Sequence, residues 1–381
     1  VLTALRIALA LRFLRRDRRA VSASSSAPAA ADASAVTVLQ PILSGDPTLE
    51  GNLEENLRHH PAAHFLWLID EDDDVGREIA ARLAERHAGR PGDLHILLAP
   101  PPPQGRNPKV FKLVLGLEAG EKRPLVAVLD DDTVLPAGAL ARACRALEWG
   151  ELVTGLPSYR PTGSFWSRLL AAFVNANALV TYLPILSFRR PVTINGMFYL
   201  TKRSVLEGLG GFQAIEDKLC DDYELAKLYR AAGLGIVQTT IVHPISTTVV
   251  GLADYVRILR RWMIFANHLF REAIDPLMIV LVVLPALLPC VLMLVSFGVG
   301  FWATIATLGG LFVKATAMAL LRRRASSRAS RDRSEPALGL PLEVLADLLQ
   351  PLHAVSAWVR PRTIRWRSRK IVTEAGRVRY K

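Results

Sequence analysis

Three groups of carboxylates stand out, because two of them directly follow apolar runs that read as buried strands. The first is Asp130-Asp131-Asp132 after Leu125–Leu129. Carboxylates two apart at the end of a strand both face one site, so Asp130 and Asp132 are candidates to hold a hard divalent cation, Mg2+ or Mn2+. A nucleoside diphosphate needs such an ion as it departs. The second is the run Asp70-Glu71-Asp72-Asp73-Asp74 after His64–Ile69. It suits hydrogen bonding to a nucleoside, and equally suits the N-terminal cap of the next helix, which Asp73 and Asp74 precede. The third is Asp221-Asp222, which reads either as a helix cap or as the general base of a group transfer. Lys109, in Asn107-Pro108-Lys109 at the head of a helix, offers an ammonium to a diphosphate or a base. Arg257, Arg260, Arg261 and Trp262 share a later helix. They suit either charge compensation of a departing diphosphate or a basic helix flanking a membrane.

These residues need a scaffold. Val36–Leu43, His64–Ile69, Leu94–Leu98 and Leu125–Leu129 read as strands, with helical segments between them. That alternation predicts a mostly parallel sheet covered on both faces, with ligands beyond the carboxyl ends of the strands. Two acidic groups fall at that edge.

Of the 381 residues, 51% are apolar, and they concentrate near the start, over 165–188 and over 277–321. The net charge of +12 is local: one basic cluster lies in 12–19, a second in 322–333 and a third in 360–381. The first two sit beside apolar stretches, as cytoplasmic flanks of membrane segments do, which argues against a nucleic-acid face. Cys144, Cys220 and Cys290 lie far apart, which argues against a disulfide framework or a zinc site.

Residues 1–19 read as a short apolar and basic membrane segment, with a signal peptide as the alternative, and 20–35 as an Ala/Ser-rich linker. Leu169–Phe188 has the length of a membrane span. A single crossing there would separate Asp130 from Asp222, so a packed or interfacial helix is expected instead. Residues 273–321 read as a transmembrane hairpin. Over 322–381 a basic loop, an amphipathic interfacial or re-entrant helix and a basic tail are expected. In that helix Glu343, Asp347 and Gln350 share one face, and Leu342, Leu345, Leu349 and Leu352 the other.

The order of these features resembles ceramide glucosyltransferases and their bacterial relatives, including lipid glycosyltransferases of hopanoid synthesis. The resemblance runs from about Val36 to Phe265. It rests on Gly45-Asp46-Pro47, the acidic run, Asn107-Pro108-Lys109, Asp130, Gly155-Leu156-Pro157, Asn195-Gly196-Met197, Gly210-Gly211, Asp221-Asp222-Tyr223 and the Arg/Trp helix, with Trp366-Arg367-Ser-Arg369 in the tail.

It implies an α/β fold of the GT-A type, a Rossmann-like nucleotide-binding sheet over 36–272, followed by C-terminal transmembrane helices. It further implies transfer of a hexose from a UDP-sugar donor to the hydroxyl of a membrane lipid, with inversion, at the cytoplasmic face of a bacterial inner membrane. Hopanoid and diacylglycerol are alternative acceptors. Asp70 or Asp72 would touch the nucleoside, Asp130 and Asp132 would hold the metal, and Asp222, with Asp221 beside it, would be the base. The family pattern of Gln or Arg, two residues, then Arg-Trp is met by Arg261-Trp262, but Ile258 stands four before the tryptophan. Either Arg257 is displaced by one, or Arg257 and Arg260 are the pair. A processive polysaccharide synthase and a catalytically silent membrane scaffold are the rival readings.

Overall fold

The computed structural model describes residues 1–24, 33–325, 339–359, 363–366, 369–374 and 377–380. Half of the linker expected over 20–35, most of the basic loop after Arg322, and Arg367 and Ser368 of the tail motif lie outside these residues.

In chain order the elements begin with α1 (Leu2–Ser24), β1 (Val36–Ile42), α2 (Leu49–His59), β2 (His64–Asp70), α3 (Asp74–Arg86) and β3 (Leu94–Ala99). Then come α4 (Pro108–Ala119), β4 (Leu125–Leu129), α5 (Ala139–Ala146), β5 (Leu152–Tyr159), α6 (Phe165–Asn175), α7 (Ala178–Tyr182) and β6 (Phe198–Lys202). The chain continues with α8 (Arg203–Gly208), α9 (Asp221–Ala231), β7 (Ile236–Ile245), α10 (Leu252–Ala273), α11 (Pro276–Met278) and α12 (Leu284–Val299). It closes with α13 (Phe301–Ala325), α14 (Gly339–Val359), β8 (Thr363–Trp366), β9 (Arg369–Glu374) and β10 (Arg377–Tyr380).

The chain divides into two compact units, each assembled from separate stretches. One holds residues 20–156, 190–248 and 362–381. Its main sheet has seven strands in the order β3-β2-β1-β4-β6-β5-β7. The first four are parallel, and β6 turns antiparallel to β4. The chain moves outward from β1 to β2 and β3, then returns to the other side of β1 for β4. The switch point of the sheet therefore lies between the ends of β1 and β4.

Alternation along the strands builds a core on each face. Val36, Val38, Phe65, Trp67, Ala127 and Leu129 pack against α2, α3 and α5. Leu39, Leu66, Leu68, Val126 and Val128 meet α4 and α9. Gln40, fully buried in β1, accepts a hydrogen bond from Trp67 Nε1 at 2.9 Å, which satisfies both polar groups inside the core.

The other unit holds residues 1–19, 157–189 and 249–361. By length and composition Phe165–Ser187, Pro276–Val299 and Phe301–Ala325 suffice to cross a membrane. The first differs from the others: it breaks into α6, α7 and a 3-10 turn at Pro184–Ser187, and 61% of its most apolar window is buried, against 22% in each later segment. It thus packs within its unit. Arg6 of α1 is buried there and donates to Val180 O at 3.2 Å.

Gly155 in β5 illustrates how tightly the sheet closes. A Cβ on it would lie 2.6 Å from Ile241 O and 2.7 Å from His243 Nδ1, and the first of these is backbone. Gly155→Ala is expected to destabilise the detergent-solubilised protein by roughly 1–3 kcal/mol in urea unfolding. An unchanged midpoint would contradict this packing.

Candidate active site

The carboxyl ends of β1, β2 and β4 bring the acidic groups to one edge, and α4 supplies their countercharges. Asn107 caps that helix by accepting from the backbone N–H groups of Lys109 and Val110, and Pro108 opens its first turn. Lys109 and Lys112 lie one turn apart on it, and both are buried. Lys109 Nζ is 2.7 Å from Asp130 Oδ1 and 3.2 Å from Asp221 Oδ2, and it donates to Gly196 O at 3.0 Å. Burial opposes its charge, but Asp130 and Asp221 outweigh that and hold the ammonium well above its ordinary range. Lys112 Nζ lies 3.3 Å from Asp70 Oδ1 and donates to Ile42 O at 2.7 Å. One helix therefore ties together carboxylates from β2, β4 and α9.

The triplet after β4 splits by direction. Asp131 is buried and accepts from Leu43 N at 2.9 Å, which joins the ends of β4 and β1. Asp130 and Asp132 stay half-buried. Asp132 Oδ1 accepts from Thr133 Oγ1 at 3.1 Å and Oδ2 from Thr247 Oγ1 at 3.0 Å. Hydroxyls on both oxygens aim this partly exposed carboxylate, and an all-oxygen pair of this kind suits Mg2+ or Mn2+. Thr247 is held in turn by its neighbour. Asp46, of the Gly45-Asp46-Pro47 turn, accepts from Thr248 N, Thr248 Oγ1 and Thr48 N at 2.8–2.9 Å. Burial alone would raise the Asp46 carboxyl, yet these bonds hold it below the usual carboxylate range.

The run 70–74 divides its roles. Asp70 is the buried partner of Lys112, while Asp72 is exposed. Asp73 caps α3 by accepting from Gly76 N at 3.0 Å, and it also accepts from Ser44 N at 2.8 Å. The capping reading thus falls on Asp73.

At the start of α9 the N-cap residue is Cys220, with no side-chain cap bond, so Asp221 and Asp222 are not plain caps. Asp222 Oδ1 accepts from Tyr223 N at 2.7 Å and from the Cys220 thiol at 3.0 Å. Burial, with Asp222 and Asp221 adding, pushes that thiol well above its ordinary pKa, so it stays protonated and donates. The Asp222 carboxyl is itself raised to about 6, by burial first and by the charge of Asp221 second. Its other oxygen, Oδ2, adjoins Gly196: a Cβ there would come 3.3 Å from Oδ2 and 3.0 Å from Asp222 Cβ. The Asn195-Gly196-Met197 turn is pinned by Thr154 Oγ1, which accepts from Asn195 N at 3.0 Å, and by His243 Nε2, 3.1 Å from Asn195 Oδ1. Burial lowers His243 to about 3, so it acts as a neutral brace.

Lys109, Asp130 and Asp221 are thus in direct contact, with Asp222 adjoining. Arg257, Arg261 and Trp262 belong to the other unit. On α10, Arg257 pairs with Asp254 one turn away, Arg261 is half-buried, and the Trp262 ring meets Tyr159 edge-on at 5.4 Å. Sequence reasoning missed Lys112 and Cys220. The signal for Lys112 was a charge in the apolar run Val110–Leu115, one turn from Lys109; nothing marked Cys220.

Known proteins share parts of this sequence and structure. Ceramide glucosyltransferase 1 of Caenorhabditis elegans is 27% identical over 236 residues, which cover 60% of this chain and 49% of the relative. The chain thus spans about half the length of that relative. Among solved structures, a mannosyltransferase from Pyrobaculum calidifontis in complex with GDP-Man and Mn2+ is 20% identical, with a TM-score of 0.49, over 94% of this chain and 98% of that one. GalNAc-T7 with UDP, GalNAc and Mn2+ is 11% identical, with a TM-score of 0.42, over 63% and 51%. The fold is α/β, with a seven-stranded mixed sheet and apolar helices in the C-terminal region. The description Glycosyl transferase family 21 matches residues 1–378, and the chain belongs to that family of glycosyltransferases.

Proposed function

We propose that this glycosyltransferase moves a hexose from a UDP-sugar to the hydroxyl of a membrane lipid of the ceramide type, with inversion at the anomeric carbon. The observation that carries the reading is the state of Asp222. One of its oxygens is held by a thiol and an amide while the other adjoins the space left by Gly196. A base needs that arrangement, fixed in direction yet open at one lone pair.

In the proposed reaction the acceptor O–H gives its proton to Asp222 Oδ2. The freed oxygen bonds to the anomeric carbon from the face opposite the diphosphate, and the bond from that carbon to the diphosphate oxygen breaks. UDP leaves with the electron pair. Asp70 or Asp72 binds the nucleoside. Lys109 holds Asp130 and Asp221 in place. The residues fitted to carry Mg2+ or Mn2+ are Asp130 and Asp132, and the charge compensation that the departing diphosphate needs would come from that ion. The proposed roles of Arg261 and Trp262 toward the donor rest on the family pattern, and Arg257 stands one position before the residue that pattern calls for. The protein would act as a multi-pass membrane enzyme with its catalytic unit at the cytoplasmic face.

Asp222→Asn is expected to lower transfer from radiolabelled UDP-sugars into lipid extract by roughly 100- to 10,000-fold. Full turnover in that variant would remove the base assignment. Label recovered in a water-soluble polymer would favour the synthase reading.

The pH dependence has a defined sign. Asp222 works deprotonated, so kcat/KM should fall as pH drops below about 6. Because the charge of Asp221 helps raise that value, Asp221→Asn should move the acid limb to lower pH. A limb that stays in place or moves upward would contradict the coupling.

Chelation of divalent ions should abolish transfer and Mn2+ or Mg2+ restore it, with Asp132→Asn needing more metal for half-activation. Undiminished activity in a chelator would exclude the metal role of Asp130 and Asp132.

A further inference from the structure

Among the described residues, α14 is not one of the helices whose composition alone marks a membrane crossing, because Glu343, Asp347 and His353 interrupt its apolar residues. All three point inward. Glu343 and Asp347 are 3% and 1% exposed, and His353 is also buried. Asp347 Oδ2 is 2.7 Å from Lys314 Nζ of α13, and Glu343 Oε2 is 3.3 Å from Arg322 Nη1 of the same helix. His353 Nε2 lies 3.0 Å from the Tyr255 hydroxyl of α10. The outward positions are apolar, with Leu352 61% and Val355 50% exposed. Leu342, Leu345 and Leu349, earlier on the helix, are half-buried.

This polarity is reversed relative to a helix on a water-exposed surface, where charges face out and leucines face in. In water the leucine face gains nothing by exposure, and the acids lose hydration. In hydrocarbon the leucines meet a matching solvent, and ionisable groups must turn inward and pair. The same pattern continues next door. Lys314 and Arg322 of α13 also face inward, while Trp302, Val313 and Leu320 of α13 and Val291, Leu294 and Val295 of α12 are exposed.

We propose that α14 is embedded in the hydrocarbon layer beside α12 and α13, with Leu352 and Val355 against lipid chains and its acids neutralised by Lys314 and Arg322. Through the Tyr255–His353 bond it anchors α10, the helix that carries Arg257, Arg261 and Trp262, to the membrane bundle. The proposal rests on the reading of α12 and α13 as membrane helices.

The test uses the protein with Cys290→Ala and its buried Cys144 and Cys220 kept, reconstituted in phosphatidylcholine/phosphatidylglycerol vesicles, with one cysteine introduced at a time at Leu352, at Val295 in α12 and at exposed Glu85. Leu352→Cys should resist a charged, membrane-impermeant maleimide until detergent is added, as Val295→Cys does, while Glu85→Cys reacts at once. A fluorophore introduced at Leu352→Cys should be quenched by lipids brominated in their acyl chains. Rapid labelling of Leu352→Cys with Val295→Cys protected would overturn the placement of α14 alone. Rapid labelling of both would overturn the membrane reading itself. Protection without lipid quenching would show a protein cover and also overturn the proposal. As a second readout, Lys314→Met should lower the thermal midpoint by removing the ion-pair partner of buried Asp347, and Lys314→Met with Asp347→Leu should restore it. A double variant as unstable as the single one would contradict the ion pair.

Discussion

A buried ammonium between two carboxylates organises this site. Lys109 Nζ sits 2.7 Å from Asp130 and 3.2 Å from Asp221, so the end of β4 and the start of α9 share one countercharge. Without it, two carboxylates in a half-buried pocket would repel each other and lose hydration together. Lys112, one turn along the same helix, does the same for Asp70 at the end of β2. The helix that covers one face of the sheet therefore also fixes the relative positions of three acidic groups. Its cap and first proline set where it begins, and hence where both ammonium groups lie.

The environment of Asp222 follows from this arrangement. Asp221 is drawn to Lys109, yet its charge still raises the neighbouring carboxyl toward neutrality. Cys220 and the Tyr223 amide anchor one oxygen, and glycine at position 196 leaves room beside the other. A carboxylate poised near pH 6 takes up a proton more readily than an ordinary one while remaining mostly ionised at pH 7. The same economy governs the two ends of the Asp130–Asp132 triplet. Asp131 spends its carboxylate on the backbone of Leu43, which leaves the flanking pair turned toward the site edge.

Much of this was legible in the sequence because it depends on short periods. Apolar runs in Val36–Ile42, His64–Asp70 and Leu125–Leu129 mark buried strands, and acids directly after such strands fall at the ligand edge. What could not be read depends on contacts across long separations. Lys112 reads as a stray charge until Asp70, 42 positions earlier, is seen beside it. Cys220 has no signature as a donor to its neighbour but one. The acidic stripe of α14 was visible as a stripe, yet whether it met water or Lys314 and Arg322 depended on how α13 packs. The boundary drawn at residue 272 likewise did not anticipate that 157–189 and 249–272 would join residues 1–19 in one compact unit.

The most direct test of the account is a double-mutant cycle on kcat/KM with Lys109→Met, Asp221→Asn and the combined variant. If Lys109 works by holding Asp221 in register with Asp130, the two losses will be strongly non-additive, with a coupling energy of roughly 1 kcal/mol or more. Additive losses within about 0.3 kcal/mol would mean that the two residues act independently, and that the shared ammonium is not what holds the site together.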